Sequence, residues 1–158
     1  MSDTCTEANL VRATADDADR IAPLFDAYRL FYGLPSDPGG ARAFLRDRIA
    51  REESVVYLAL TRDGSHGEET PAGFVQLYPT FSSVSLCRSW TLNDLYVEED
   101  HRARGVGRGL MERAVKHCRD TGAGQLWLQT DLTNTAAQHL YEAVGMTRHE
   151  ILEYTLTI

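Results

Sequence analysis

Arg102, Arg104 and Arg108 alternate with Gly105, Gly107 and Gly109 in the run RARGVGRG, which follows the apolar stretch LNDLYV and the acidic turn EEDH. These residue types suit a pyrophosphate. Glycine removes the Cβ atoms that would hold an anion off the backbone, so the unpaired N–H groups of a first helical turn can face phosphate oxygens. The helix dipole places partial positive charge at the same end. The guanidinium groups add full charge and forked donors. Glycine in a helix start costs stability relative to alanine, which argues against an accidental Gly-rich, basic start.

Two common phosphate loops do not fit. A P-loop needs Lys and then Ser or Thr after its last glycine, whereas Gly109 is followed by Leu110 and Met111, leaving nothing to hold Mg²⁺. A dinucleotide fingerprint begins directly at a strand end, but here seven residues separate Val97 from Gly105 and Leu110 takes the third glycine's place.

Arg102, Gly105 and Gly107 fill the pattern Arg/Gln-x-x-Gly-x-Gly/Ala, and a second block, NTAAQHLYEAVG over 134–145, places Tyr141 seven residues after Asn134. On these motifs residues 92–146 resemble the acyl-CoA-binding core of the GCN5-related N-acetyltransferases (GNAT), nearest in look to the small-amine and diamine acetyltransferases. The resemblance implies acetyl-CoA as acetyl donor, with Arg102, Ala103, Arg104, Gly105, Val106, Gly107 and Arg108 around its pyrophosphate. It implies Leu95, Tyr96 and Val97 alongside the pantetheine and acetyl group, Asn134 on the cofactor arm, and Tyr141 facing the thioester sulfur.

Acetyl transfer to an amine sets the remaining requirements. An alkylammonium with a pKa of about 10.4 is neutral only about one part in a few thousand at neutral pH, a cost of roughly 4 to 5 kcal/mol. A proton acceptor or a wired water is needed, then a donor for the oxyanion and one for the departing thiolate; no metal is called for. A strand N–H can polarise the carbonyl. Tyr141, protonated at neutral pH, can donate to sulfur, or it can be a core tyrosine beside Leu140 and Val144.

Asp94 lies mid-strand in LNDLYV, where aspartate has poor propensity. It is the candidate base or ammonium anchor, or else a structural aspartate at a bulge or beside an arginine. Diamine acetyltransferases of the family carry two adjacent acids here. Asn93 replaces the first, which favours a water relay through Asp94. Asp26, Tyr28, Tyr32 and Asp37 can line the acceptor side, as the family implies. Trp90 and Trp127 read as packing residues, His101, His117 and His139 as surface groups, and Glu98 and Glu99 as a solvated turn.

Composition bounds the partners. A chain of 158 residues with 43% apolar content fits one globular unit, taken as a single N-acetyltransferase domain over 1–158. A net charge of −7 argues against nucleic acid or an anionic membrane and favours a cationic small-molecule amine. The start of the chain lacks the pattern of a signal peptide and no run reaches the length of a membrane span, so a cytoplasmic address is expected. Cys5, Cys87 and Cys118 are odd in number, widely spaced and read as reduced thiols. A homodimer is possible.

Several elements must position these groups. Strands are expected at 10–13, 55–60, 73–78, 89–97, 125–130 and 151–158, the last from its alternation of apolar and polar residues. Helices are expected from Thr14 to about Gly33, at 41–51, at 106–119, and from Thr133 or Asn134 to Gly145. The SDPGG stretch reads as a turn and RDGSHGEETP (62–71) as a dispensable loop. The resemblance implies an α/β fold, a mixed, mostly antiparallel sheet with helices on both faces, in the order β-α-α-β-β-β-α-β-α-β. Two functions remain: an acetyl-CoA-dependent N-acetyltransferase acting on a primary amine (polyamine, amino acid or protein lysine), and an acyl-CoA-binding sensor without turnover.

Overall fold

A computed structural model describes residues 8–62 and 67–158. The elements are β1 (Asn9–Arg12), α1 (Ala18–Phe31), α2 (Pro38–Ala50), β2 (Val55–Arg62), β3 (Glu69–Ser82), β4 (Cys87–Val97), α3 (Val106–Asp120), β5 (Gln125–Trp127) and α4 (Thr135–Ala143). The strands form one sheet in the order β1-β2-β3-β4-β5. Every pairing is antiparallel except β4 with β5.

Both faces of the sheet are covered, which explains why β2 is buried along almost its whole length instead of alternating. On one face Ile21, Leu24 and Phe25 of α1 and Leu45 of α2 pack on Val56, Leu58 and Phe74. On the other, Leu110, Met111 and Ala114 of α3 pack on Tyr57, Val75, Leu77 and Leu92, with Leu140, Tyr141 and Val144 of α4 beside them. Full burial of a leucine such as Leu110 stabilises by roughly 1.5–3 kcal/mol.

Four expectations are corrected. Residues 151–158 form no strand; the alternation supplies strand propensity but no ladder partner, and the segment lies exposed. Helix α2 starts at Pro38, inside the expected SDPGG turn, because Asp37 caps it by accepting from Gly40 N–H at 2.8 Å and proline suits a first helical position. Strand β5 ends at Trp127. His117 is buried, its Nδ1 2.9 Å from the Tyr57 hydroxyl and its ring edge-on to Trp90. Cys5 and the centre of the 62–71 loop lie outside the described residues, as does part of the expected leaderless start. Burial pushes the Cys118 thiol up to about 11.

Candidate active site

Strand β4 pairs with β5 only through Ser89, Trp90 and Thr91. From 92 to 97 its outer edge has no strand partner among the described residues. The Glu98 N–H turns back to the Ala72 carbonyl of the β3 side at 2.9 Å, so strand alternation points the N–H groups of Val97 and Leu95 to the free edge. The side chains of Leu95 and Val97 pack on the α3 side, and Tyr96 packs on the α1 side.

The turn after β4 is built to present the start of α3. A short 3-10 turn over Glu99–His101 is followed by Arg102, whose Nε donates to the Val97 carbonyl at 2.9 Å while its guanidinium lies 5.6 Å from the Tyr96 ring centre. Ala103 takes φ 58° and Gly105 takes φ 84°, a left-handed position with open space where a Cβ would stand. No side chain caps α3, so its leading N–H groups remain available to an anion. Arg108 pairs with Glu112 at 2.9 Å on the exposed surface. Val106 is buried against the sheet.

The other two glycines stand beside neighbouring elements. A Cβ on Gly107 would meet Leu140 at 3.4 Å and Val97 at 3.7 Å, and one on Gly109 would meet Leu10 at 3.5 Å. These are ordinary van der Waals distances, so a side-chain carbon would fit at either position; only Gly105 is open as a phosphate cradle requires. The place of Gly107 also brings the helix start, the free β4 edge and α4 together.

Asn134 caps α4, its Oδ1 accepting from Ala137 N–H at 3.2 Å, which leaves its amide NH₂ to donate. With Asp131, Thr133, Phe31 and Tyr32 it lines an open cleft of about 480 Å³. Tyr141, one face of α4 further on, is half-buried against the α3-side core. Burial, with Tyr32 adding a smaller contribution, pushes its hydroxyl up to about 12.

Asp94 is buried on the opposite face, beneath α1. Gln76 of β3 pairs directly with it, and the next pair is Leu77 with Leu92, so Asn93 is the extra residue of a β-bulge. Gln76 Nε2 donates to Asp94 Oδ2 at 2.6 Å, and Asn93 Nδ2 lies 3.1 Å from both carboxylate oxygens. Gln76 does not stand out in the sequence; its one signal is a polar residue inside the apolar run FVQLY. Asp26 and Asp37 build the α1–α2 loop. Ser36 Oγ donates to Asp26 at 2.6 Å and Asp37 N–H at 2.7 Å, and these bonds hold its carboxyl below the usual range. Trp90 is buried and donates to Thr121 Oγ1 at 2.9 Å, whereas Trp127 is largely exposed.

Residues 21–146 match the acetyltransferase (GNAT) family. The chain belongs to that family. The uncharacterized N-acetyltransferase YhfO of Bacillus subtilis (strain 168) is 45% identical over 137 residues, covering 87% of this chain and 88% of its own. Streptothricin acetyltransferase of Streptomyces lavendulae is 32% identical over 122 residues, 71% of this chain and 59% of its own. The crystal structure of a probable acetyltransferase, 43% identical, superposes with a TM-score of 0.85 over 95% of this chain and 97% of that one. The GNAT fold of this acetyltransferase is thus a mostly antiparallel sheet of five strands between two helical layers.

Proposed function

We propose that this acetyltransferase moves an acetyl group from acetyl-CoA to a small cationic primary amine by direct attack in a ternary complex. The place of Gly107, with Val97 and Leu140 within 4 Å of where its Cβ would stand, carries this reading, because it sets the α3 start, the free β4 edge and the tyrosine-bearing α4 side by side. The residues fit the donor: an uncapped helix start and the open Gly105 suit its pyrophosphate, with Arg102, Ala103, Arg104, Val106, Gly107 and Arg108 around it. Leu95, Tyr96 and Val97 would flank its arm, and the Asn134 amide would donate to it.

When bound, acetyl-CoA supplies an activated carbonyl and a thiol leaving group. The β4 edge N–H groups donate to charge developing on the carbonyl oxygen. Tyr141 keeps its proton and donates it, or a hydrogen bond, to the sulfur. Asp94 draws the ammonium proton, directly or through an intermediary.

A net charge of −7 supports a cationic acceptor, and the similarity to an enzyme named for acetylation of streptothricin supports an acceptor other than a protein. The cysteine pattern supports a cytoplasmic address, and the exposed apolar residues of 151–158 support a second copy of the chain as partner. The test is thiol release from acetyl-CoA against a panel of amines, amino acids and lysine peptides. Small amines should give the highest kcat/KM. Faster peptides would assign a protein acceptor, and acetyl-CoA binding without thiol release would assign a sensor.

A further inference from the structure

The open cleft of about 480 Å³ between the end of α1 and the start of α4 is lined by Phe31 and Tyr32 on one side and by Asp131, Thr133 and Asn134 on the other. Its chemistry is unlike that of the phosphate end. Phe31 and Tyr32 are 61% and 51% exposed, with ring centroids 5.4 Å apart and planes nearly perpendicular, and Tyr32 is braced edge-on by Tyr28 at 5.0 Å. Large rings left in water are unfavourable unless something covers them. In the same cleft the Thr133 hydroxyl and N–H donate to Asp131 Oδ1 at 2.6 and 2.7 Å and hold the carboxyl below its usual range, so it is ionised at neutral pH. Among the described residues no hydrogen bond reaches its Oδ2. The loop itself is fixed by Gln138, whose Nε2 donates to the Asp131 and Leu132 carbonyls at 3.1 and 3.0 Å.

We propose that this cleft holds a second positive charge of the acceptor, so that the enzyme selects aliphatic diamines over monoamines. Aromatic faces attract an ammonium through their quadrupole, and a carboxylate with a free oxygen accepts its N–H bonds. Acetyl-CoA leaves this lining unexplained, because its pantetheine arm is uncharged and its phosphates are anionic, and neither calls for an ionised carboxylate. The start of α4, whose dipole favours an anion, is largely occupied by its own bonds: Asn134 Oδ1 accepts from Ala137 N–H at 3.2 Å and the Thr133 carbonyl from Thr135 N–H at 2.9 Å. This inference rests on the acetyl-transfer reading and deepens it by naming the acceptor class.

The place of the cleft suits the far end of such an acceptor. It shares Asn134 with the proposed cofactor arm, and Tyr141, the proposed donor to sulfur, stands seven residues further along α4, about 10 Å of helix rise. A diamine reacting at one nitrogen beside the thioester therefore extends its other nitrogen along α4 towards Asp131. The reacting nitrogen gives up its proton, while the distal one stays protonated and bound. Losing that first proton is also easier in a dication, since like charges on one short chain repel.

Thiol release from acetyl-CoA is followed at neutral pH with n-butylamine against 1,4-diaminobutane and with n-octylamine against 1,8-diaminooctane. At one length or both, the diamine should exceed the monoamine at least about tenfold in kcat/KM, beyond the roughly twofold that two reactive ends supply. Asp131→Asn keeps an acceptor for the Thr133 bonds and removes the charge. It should bring that ratio down to about twofold, chiefly through a higher KM for the diamine, with acetyl-CoA affinity within about twofold in calorimetry. Phe31→Leu, on another element, keeps an apolar side chain and should lower the ratio about two- to fivefold, the size of an exposed cation–π contact. Monoamines and diamines within about twofold of each other at both lengths overturn the proposal and leave acetyl transfer intact. An Asp131→Asn enzyme with the parent's ratio overturns it as well. Acetyl-CoA affinity reduced about tenfold in Asp131→Asn would give the cleft to the cofactor and likewise overturn it. If no amine releases thiol, the acetyl-transfer reading fails by itself and calorimetry with 1,8-diaminooctane decides the cleft: binding that weakens in Asp131→Asn supports it, and no binding overturns it.

Discussion

Tyr141 keeps its proton because burial disfavours the phenolate, and its hydroxyl is pushed up to about 12. The folded value lies above the unfolded one of about 10, so the stability linked to this proton is complete below about pH 10 and lost as pH rises through the folded value. In the proposed donor role it would therefore be protonated throughout the neutral range. Tyr141→Phe should lower kcat at least about tenfold, the equivalent of about 1.4 kcal/mol, with acetyl-CoA affinity within about twofold in calorimetry. A kcat within about twofold makes the tyrosine a packing residue. That Asn134 caps α4 and that Tyr141 lies on its inward face were legible because both follow from local spacing in 134–145. Gln76 as a partner of Asp94 was not, since it meets it only through the β3–β4 register with its one-residue bulge, which a pattern read along one strand does not contain.

At the scale of elements, α3 joins two tasks at its two ends. Its start presents N–H groups to an anion, and the exposed Arg108 stands beside them. Arg102 is committed to holding the turn on the Val97 carbonyl. Gly107→Asp would press a carboxylate against Val97 and Leu140, so lost binding there would be mixed with lost stability. Arg104→Glu with Arg108→Glu is the cleaner probe. It should weaken acetyl-CoA binding at least about tenfold at low salt and less at high salt, with Tm lower by only a few degrees, because the lost interactions, the Arg108–Glu112 pair among them, are between solvent-exposed charges. Equal affinity at low salt would move the phosphates elsewhere. Near the other end, His117 is held neutral, chiefly by burial and then by Arg12 and Arg113, so its pKa is lowered. Between the folded value and the unfolded one of about 6.5 the unfolded chain binds the extra proton, so stability falls as pH drops below that unfolded value. Thermal melts should show Tm falling from about pH 7 to about pH 5, and His117→Gln should flatten that slope. A parent Tm independent of pH over that range would contradict a buried neutral histidine.

For the whole molecule, the helices and strands β1, β2 and β4 were legible from periodicity and alternation, because a sheet covered on both faces leaves long apolar runs bounded by turn residues, whereas β3 at Glu69–Ser82 extends beyond the expected 73–78 at both ends and takes in residues expected as loop. The last strand was misread for a related reason. Alternation over 151–158 is real, but it states what a segment can pair with and not whether a partner is there. Ile151, Leu152, Tyr154, Leu156 and Ile158 are each at least 70% exposed, while β5, three residues long, leaves the sheet with an uncovered outer edge. Five large apolar side chains in water are costly, and an open strand edge invites pairing. On the proposed dimer reading, a second copy would meet both needs by laying its own 151–158 segment along β5. Deleting 151–158 should then leave Tm of the isolated chain within a few degrees, as the segment is exposed in the chain itself, and should shift sedimentation equilibrium from dimer to monomer. A full-length chain that sediments as a monomer, with a Tm that collapses on truncation, would instead mean that the segment folds back on its own sheet.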